Sequence, residues 1–226
     1  MIVHDRGDSW QVVLQTDHAD LSAAFARAWR TPLPEALIVA AERHDDGWAV
    51  WEQAPRVEGR TPVTFLEVDI RSHLAFYRAG IAAITEQDED AGLLASMHGA
   101  GIYRQRYGLD PGLGLARAPE AQDEVDAFVA EQEAKFGGEL GDRQRDYELL
   151  QLFDRLSLYF CMREGEEAEL QGYRLEPIAP WHVRMTPFPF EGSPSRLSLV
   201  RRVLRKDGAV DILPATPERT VITIEE

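Results

Sequence analysis

The amino-acid sequence predicts a mainly helical protein with an N-terminal β-hairpin and a β-rich C-terminal tail, α+β overall. Two observations carry this prediction. Apolar residues recur at helical spacing through most of residues 16–163, whereas alternating and β-branched segments punctuated by proline follow from about residue 170. We therefore expect two domains, a helical one over residues 1–166 that includes the N-terminal strands and a β-rich one over residues 167–226.

The N-terminal segment predicts a hairpin that leads into a helix. Residues 1–4 and 10–15 are rich in apolar and β-branched side chains, and a turn containing glycine and aspartate separates them. Asp17, or the threonine before it, offers an N-cap for a helix that runs to about Trp29. His18 shares the core-facing stripe of that helix, near its first turn.

A second helix is expected to begin at Glu35, after a proline, and to end at Gly47. His44 and Asp45 close its last turn on the side that faces the core. Residues 49–66, with prolines and a glycine, predict an irregular excursion.

Four further helices are predicted, over about residues 69–87, 88–106, 119–136 and 141–163. His73 and His98 lie on the buried faces of the first two, and residues 108–119 predict a loop. The last helix is apolar nearly all round, which marks a central position, and Asp154 lies inside it. The tail then predicts four or five strands, which are candidates to pair with the N-terminal hairpin.

Composition restricts the class of partner. With 226 residues and a net charge of −15, the chain lacks the basic surface that nucleic-acid binding or docking on anionic membranes needs. There is no run of 18 apolar residues and no signal-peptide pattern, and the single cysteine fits a reducing compartment. We expect a cytoplasmic protein that acts on a small molecule, without nucleic-acid or membrane partners, and a homo-oligomer stays open.

The chemistry is expected at an ordered series of inward-facing histidines and carboxylates, H…HD…H…H…D. Its members are His18, His44, Asp45, His73, His98 and Asp154. A carboxylate within the apolar run around Asp154 costs several kcal/mol of desolvation unless a cation or a charged partner neutralises it. A metal ion or a structural ion pair would each serve. Imidazole nitrogens together with carboxylates suit iron, manganese or zinc.

The series resembles that of the HD-domain superfamily, an all-helical fold whose metal ligands occur in this order. The resemblance covers about residues 14–163, and the segments around His18 and His44 are also similar to those of a family of uncharacterised bacterial proteins. It implies that His18, His44 and Asp154 hold one metal ion. His73 and His98 would hold a second, as in the binuclear subset, with Asp45 bridging the two divalent or mixed-valence ions (Fe, Mn or Zn).

The resemblance implies a metal-dependent hydrolase that attacks a phosphate ester with a metal-activated water. Two alternatives stay open, a mixed-valence di-iron oxygenase of a small polar substrate and a non-catalytic binding or regulatory module of the same fold. Many phosphohydrolases of the superfamily carry a basic residue shortly after the HD pair. Asp46 follows that pair here, which weakens the prediction that the substrate is a phosphate ester.

Four residues outside the series have candidate roles. Asp46 is a candidate general base or a partner that orients a ligand, unless it simply faces solvent. Trp48 and Trp51 are candidates for the wall of a substrate pocket, or they complete the core of the bundle. Arg104 is a candidate phosphate ligand, with a surface arginine at a helix end as the plainer interpretation.

Overall fold

The chain folds into α-helices packed on a curled β-sheet of seven strands. The computed structural model describes residues 1–54, 56–59, 61–104, 121–163, 165–207 and 215–226. The helices are α1 Gln15–Ala28, α2 Glu35–Arg43, α3 Ala49–Gln53, α4 Ile70–Thr85, α5 Glu89–Tyr103, α6 Gln122–Lys135 and α7 Gln144–Met162. The strands are β1 Ile2–Asp5, β2 Ser9–Val13, β3 Val57–Glu58, β4 Thr61–Pro62, β5 Ala168–Leu170, β6 Tyr173–Ala179, β7 His182–Thr186, β8 Ser195–Arg205 and β9 Glu218–Glu225.

The sheet contradicts the predicted fold class. Its strand order is β1-β2-β8-β9-β7-β6-β5, so the N-terminal hairpin and the C-terminal strands form a single sheet. The protein is α+β with a large sheet, and the prediction of an HD-like helical bundle with a small hairpin was wrong. The expected pairing of the tail strands with the N-terminal hairpin is present, since β8 pairs with β2. Local sequence patterns identify strands one at a time, whereas the pairing of β2 with β8 joins residues far apart in the chain.

One face of the sheet closes the core beneath the helices. Alternate residues of β6 to β9 point inward and are buried, among them Leu175, Met185, Leu199 and Ile222. The strands are antiparallel except for β7 and β9, which pair in parallel. The apolar side chains of the sheet and helices belong to one continuous core cluster, with a smaller cluster around β1 and β2.

Helices α1, α4, α5, α6 and α7 lie within about three residues of their predicted ranges, and α2 begins at Glu35 as predicted but ends at Arg43. Helix α3 lies within residues 49–66, a segment predicted to be irregular, so that prediction was wrong for residues 49–53. The predicted ends at residues 106 and 119 and the predicted loop over residues 108–119 lie outside the described part of the chain. Helix α7 is central, since its side chains Leu150, Phe153, Leu156 and Phe160 are at most 2% exposed. Among the described residues, every helix is too short or too polar to traverse a lipid bilayer.

Candidate metal centre

The position of His18 is set by contacts at the start of α1. Glu52 of α3 accepts hydrogen bonds from the backbone N–H of Gln15 (2.6 Å) and of Thr16 (3.4 Å), so it satisfies amides that the first turn leaves without partners. Asp17 forms an ion pair with Arg202 of β8, which ties the same turn to the sheet. The side chain of His18 is therefore directed into the core, where it is 1% exposed.

His44 and Asp45 both face the same cavity because α2 ends between them. In a continuous helix, consecutive side chains point about 100° apart around the axis. His44 keeps helical dihedral angles, whereas Asp45 has φ −109° and ψ 14°. This change of backbone conformation lets two adjacent side chains contribute to one site.

Four side chains from α1, the end of α2 and α7 converge at this point. The Nε2 atom of His18 lies 3.2 Å from Nε2 of His44, 3.1 Å from Oδ1 of Asp154 and 3.2 Å from Oδ2 of Asp45. The Nε2 atom of His44 lies 3.5 Å from Oδ1 of Asp154 and 3.7 Å from Oδ2 of Asp45. All four residues are less than 5% exposed.

These spacings match one coordination sphere. Bonds of about 2.0–2.2 Å to nitrogen and oxygen place neighbouring ligand atoms about 2.8–3.6 Å apart in octahedral or tetrahedral geometry. The donor atoms of His18, His44 and Asp154 all lie within 4.8 Å of one another, which is the condition for holding a single ion. Asp45 adds a fourth donor atom at the same place.

Hydrogen bonds to the outer ring nitrogens direct both Nε2 atoms toward the centre. Nδ1 of His44 donates to the carbonyl oxygen of Ala41 at 2.9 Å. Nδ1 of His18 lies 2.5 Å from Oγ of Ser157, whose hydroxyl donates to the backbone carbonyl of Asp154. Because the Ser157 proton is directed to that carbonyl, its oxygen accepts from His18, and each neutral ring then presents an Nε2 lone pair.

Two further side chains fix the carboxylate of Asp45. The hydroxyl of Tyr77 donates to Oδ1 of Asp45 at 3.1 Å, and the amide of Gln15 donates to Oδ2 at 3.3 Å. Burial and the neighbouring carboxylate Asp45 raise the pKa of Tyr77 well above its ordinary value, so this phenol keeps its proton and acts as a donor. Asp45 is thus held on both oxygens before any ligand arrives.

In the absence of a cation, the neighbouring carboxylates favour the protonated forms of His18 and His44. Burial opposes the charged form of His18, but hydrogen bonds to Asp154 and Asp45 outweigh it and raise the pKa of His18 to about 9. The pKa of His44 is also raised, since Asp45 and Asp154 overcome its burial. The pKa values of both carboxyl groups are lowered, because the imidazoles outweigh the cost of burying negative charge. The cluster is therefore built around positive charge between two carboxylates.

His73 and His98 lie in the wall of the same cavity. The ring of His98 packs against that of His44 with centroids 4.9 Å apart, and Nδ1 of His73 bonds to the hydroxyl of Tyr103 at 2.8 Å. The buried Nε2 atom of His73 has no hydrogen-bond partner within the part of the chain that the structure describes. Burial lowers the pKa of both histidines to about 4, so both are neutral at pH 7 and able to bind a cation.

The cavity that these residues line has a polar base and an apolar mouth. Its volume is about 50 Å³, room for a few water-sized groups. All six members of the predicted series lie in its wall, together with Gln15, Tyr77, Phe65, Leu66, Ile102, Leu158 and Met162. The structure therefore brings the whole series to one cavity. Within it, the donor atoms of His18, His44 and Asp154 are close enough together to hold one ion.

The four predicted residues outside the series do not line the cavity. Asp46 accepts from Nε of Arg43 at 2.6 Å, since the turn after α2 directs it outward. Trp48 is buried, and its ring packs on His73 with centroids 4.7 Å apart, while Trp51 packs behind it. Arg104 is exposed at the end of α5, where it forms an ion pair with a glutamate of α6. Asp46, Trp51 and Arg104 therefore lie outside the lining of this cavity, and their expected roles in catalysis and substrate binding stay predictions.

The sequence reasoning missed the residues that orient the ligands. Gln15 was placed at the end of a strand, although it begins α1 and reaches Asp45. Ser157 gave a weak signal, a hydroxyl one helical turn after Asp154 within an apolar run. Tyr77 and Tyr103 carry no sequence signal that distinguishes them from other aromatic residues of a helical core.

Comparisons with known proteins identify a family without a function. Searches of curated proteins and of solved structures returned no match. The resemblance to the HD-domain superfamily accordingly remains a prediction from sequence. A family model, described as a protein of unknown function (DUF3891), matches residues 1–206, which spans β1 through β8 and all six residues of the predicted series. The chain belongs to the DUF3891 family.

Proposed function

We propose that this protein is a metal-dependent hydrolase that cleaves a phosphate ester with an activated water molecule. The observation that carries the proposal is the convergence of His18, His44, Asp45 and Asp154 at the spacing of one coordination sphere. Two buried carboxylates are costly unless positive charge lies between them. The hydrogen bonds to Ala41 and Ser157 also leave both Nε2 atoms directed inward, as ligands require.

The donor set fits a transition-metal ion or zinc. Imidazole nitrogens combined with carboxylate oxygens favour Fe, Mn or Zn over Mg or Ca. His73 and His98 supply two more neutral imidazoles in the same cavity, which supports a second ion with Asp45 between the two. When bound, such ions supply Lewis acidity, which lowers the pKa of nearby water and neutralises charge on a phosphoryl oxygen.

Residues of the protein orient the side chains of the site, and the cavity excludes bulk water. Tyr77 and Gln15 fix the orientation of Asp45, and Ser157 fixes the ring of His18. Hydrolysis forms a bond between a water oxygen and phosphorus and breaks the bond to the ester oxygen, which leaves as an alcohol after taking up a proton. The narrow cavity admits the reacting group and little bulk solvent, which strengthens electrostatic interactions inside it.

Metal content and turnover test the proposal together. Elemental analysis of the purified protein should find Fe, Mn or Zn at one or two ions per chain. The metal-loaded protein should hydrolyse p-nitrophenyl phosphate or its diester, and chelation should abolish the activity. Protons between imidazoles and carboxylates would give similar spacings, so a folded protein that binds none of these ions would refute the proposal.

Variants locate the activity at the centre. Replacement of one ligand, Asp154→Asn or His44→Ala, should lower metal affinity at least about 100-fold and remove turnover. His182→Ala is a matched control, because His182 lies on β7 and pairs with Glu225 at the surface. Retention of metal and activity by both ligand variants would place the chemistry elsewhere.

Oxygenation at a di-iron centre is the second candidate function. The observation that favours it is the lining of the cavity, which holds no lysine or arginine among the described residues to receive a phosphate. Six nitrogen and oxygen ligands around one cavity also suit a pair of iron ions. Two irons per chain with an oxo-bridge absorption band in aerobically purified protein, and no phosphatase turnover, would favour oxygenation over hydrolysis.

A further inference from the structure

The mouth of the cavity is lined by apolar side chains from three separate elements. Phe65 and Leu66 lie in the turn before α4, Ile102 in the last turn of α5, and Leu158 and Met162 in the last turns of α7. All five are half-buried, so each presents part of its surface to a group that enters. Any molecule that reaches the base of the cavity has to pass between them.

Polar and apolar residues are separated along the cavity. The histidines and carboxylates lie at the base, and the only charged side chains among the described lining residues are those of the centre itself. A nucleotide or sugar phosphate would leave its hydroxyl and amide groups against hydrocarbon, where lost hydrogen bonds to water have no replacement. An alkyl or aryl group would instead exchange water for apolar contacts.

The positions of the apolar side chains lead to the same conclusion. The whole cavity, mouth included, has a volume of only about 50 Å³, so a group that reaches the histidines has little space between the walls. The substituent next to that group therefore contacts apolar lining residues such as Phe65, Leu158 and Met162.

From these observations we infer that the site takes a phosphate ester whose other substituent is apolar, an alkyl or aryl group held by the side chains of the mouth. The inference rests on the proposed hydrolase function and adds the substrate class. Leu158 and Met162 then determine specificity, because they lie on α7 one and two turns after the ligand Asp154.

Inert phosphonates test the inference without turnover. Calorimetric titration of the Mn²⁺-loaded full chain should give phenylphosphonate an affinity at least about tenfold above that of methylphosphonate, since the ring buries apolar surface. 2-Hydroxyethylphosphonate should bind no more tightly than methylphosphonate. Equal affinities, or a preference for the hydroxyethyl compound, would overturn the inference while leaving the hydrolase proposal standing. Failure of the Mn²⁺-loaded protein to bind any of the three would overturn both.

A leucine pair on α7 supplies a matched control. Leu158→Ser should reduce the phenyl-to-methyl affinity ratio to about threefold or less, because it removes a wall of the mouth. Leu149→Ser should leave the ratio unchanged, since Leu149 is equally half-buried on α7 but lines a different cavity. Met162→Gln provides a second mouth variant if Leu158→Ser does not fold. An unchanged ratio in a folded mouth variant would refute the role of these side chains.

Discussion

Replacement of Gly47 by alanine should disturb the metal centre through backbone contact alone. Gly47 lies two residues after Asp45, where the turn after α2 crosses α4. A Cβ atom at this position would lie 1.9 Å from the carbonyl oxygen of Phe76 and 2.6 Å from its carbonyl carbon. Ordinary contacts of a Cβ atom begin at 3.4 Å, so the two segments would have to separate by about 1.5 Å. Gly80 of α4 makes the reciprocal close approach, since a Cβ atom at position 80 would lie 2.9 Å from the backbone nitrogen of Gly47.

The separation should displace Tyr77, which follows Phe76 and donates to Asp45 at 3.1 Å. A displacement of this size breaks that hydrogen bond, because the bond weakens steeply with distance. We expect Gly47→Ala to reduce the free energy of unfolding by about 2–3 kcal/mol. The corresponding fall in Tm is about 4–12 °C for a chain of this length. Metal affinity should fall about 10- to 100-fold, as is typical when a residue that orients a ligand is displaced.

Thermal unfolding of the metal-free protein and calorimetric titration with Mn²⁺ measure the two effects separately. Gly192→Ala is the matched control, since a Cβ atom at position 192 meets no atom within 4 Å. The reasoning would be refuted if Gly47→Ala and Gly192→Ala had the same Tm and the same metal affinity.

Three further predictions concern the residues that support the centre. Ser157→Ala should lower metal affinity about tenfold, since His18 loses the acceptor at its Nδ1 atom. Ser157→Thr should restore most of that affinity. Equal metal-titration curves for wild type and Ser157→Ala would contradict this prediction. Phe153→Ala should cost about 3–5 kcal/mol in urea unfolding, because Phe153 is fully buried in α7, and a loss below about 1 kcal/mol would be inconsistent with that packing. Asp69→Ala should cost about 1 kcal/mol at pH 7, because Asp69 caps α4 by accepting from the backbone N–H of Ser72. That hydrogen bond lowers the pKa of Asp69 in the folded state. The contribution of Asp69 to the free energy of unfolding is therefore present above the ordinary pKa of 3.8 and is lost as pH falls through the folded pKa. A stability difference between wild type and Asp69→Ala that persists at the lowest pH would contradict the assignment.

The helices and the ligand series were accessible from sequence because both depend on local periodicity. His18, His44, His73, His98 and Asp154 each fall on a helical face that apolar neighbours identify as buried. A buried polar residue in such a stripe is conspicuous, since its burial is costly without a partner. The structure places all of these side chains around one cavity.

The pairing of the strands and the directions of the residues around the centre could not be predicted from local periodicity. Pairing of Trp10 with Leu204 joins segments nearly 200 residues apart, and no local pattern encodes that register. The direction of Asp46 depends on where α2 stops, and in the structure the turn after α2 brings it to Arg43. Arg104 is one helical turn past Gly101, and only the packing of α5 on α6 determines that it meets a glutamate instead of the cavity.

The ion pair between Asp17 and Arg202 links the metal centre to the order in which the chain is made. Helix α1 is synthesised early, but the strand that anchors its first turn emerges from the ribosome almost 190 residues later. Such long sequence separation between contacting segments slows folding. Nascent chains that stop short of β8 should therefore bind the proposed metal ion poorly, so that binding of this ion would report the final stage of maturation.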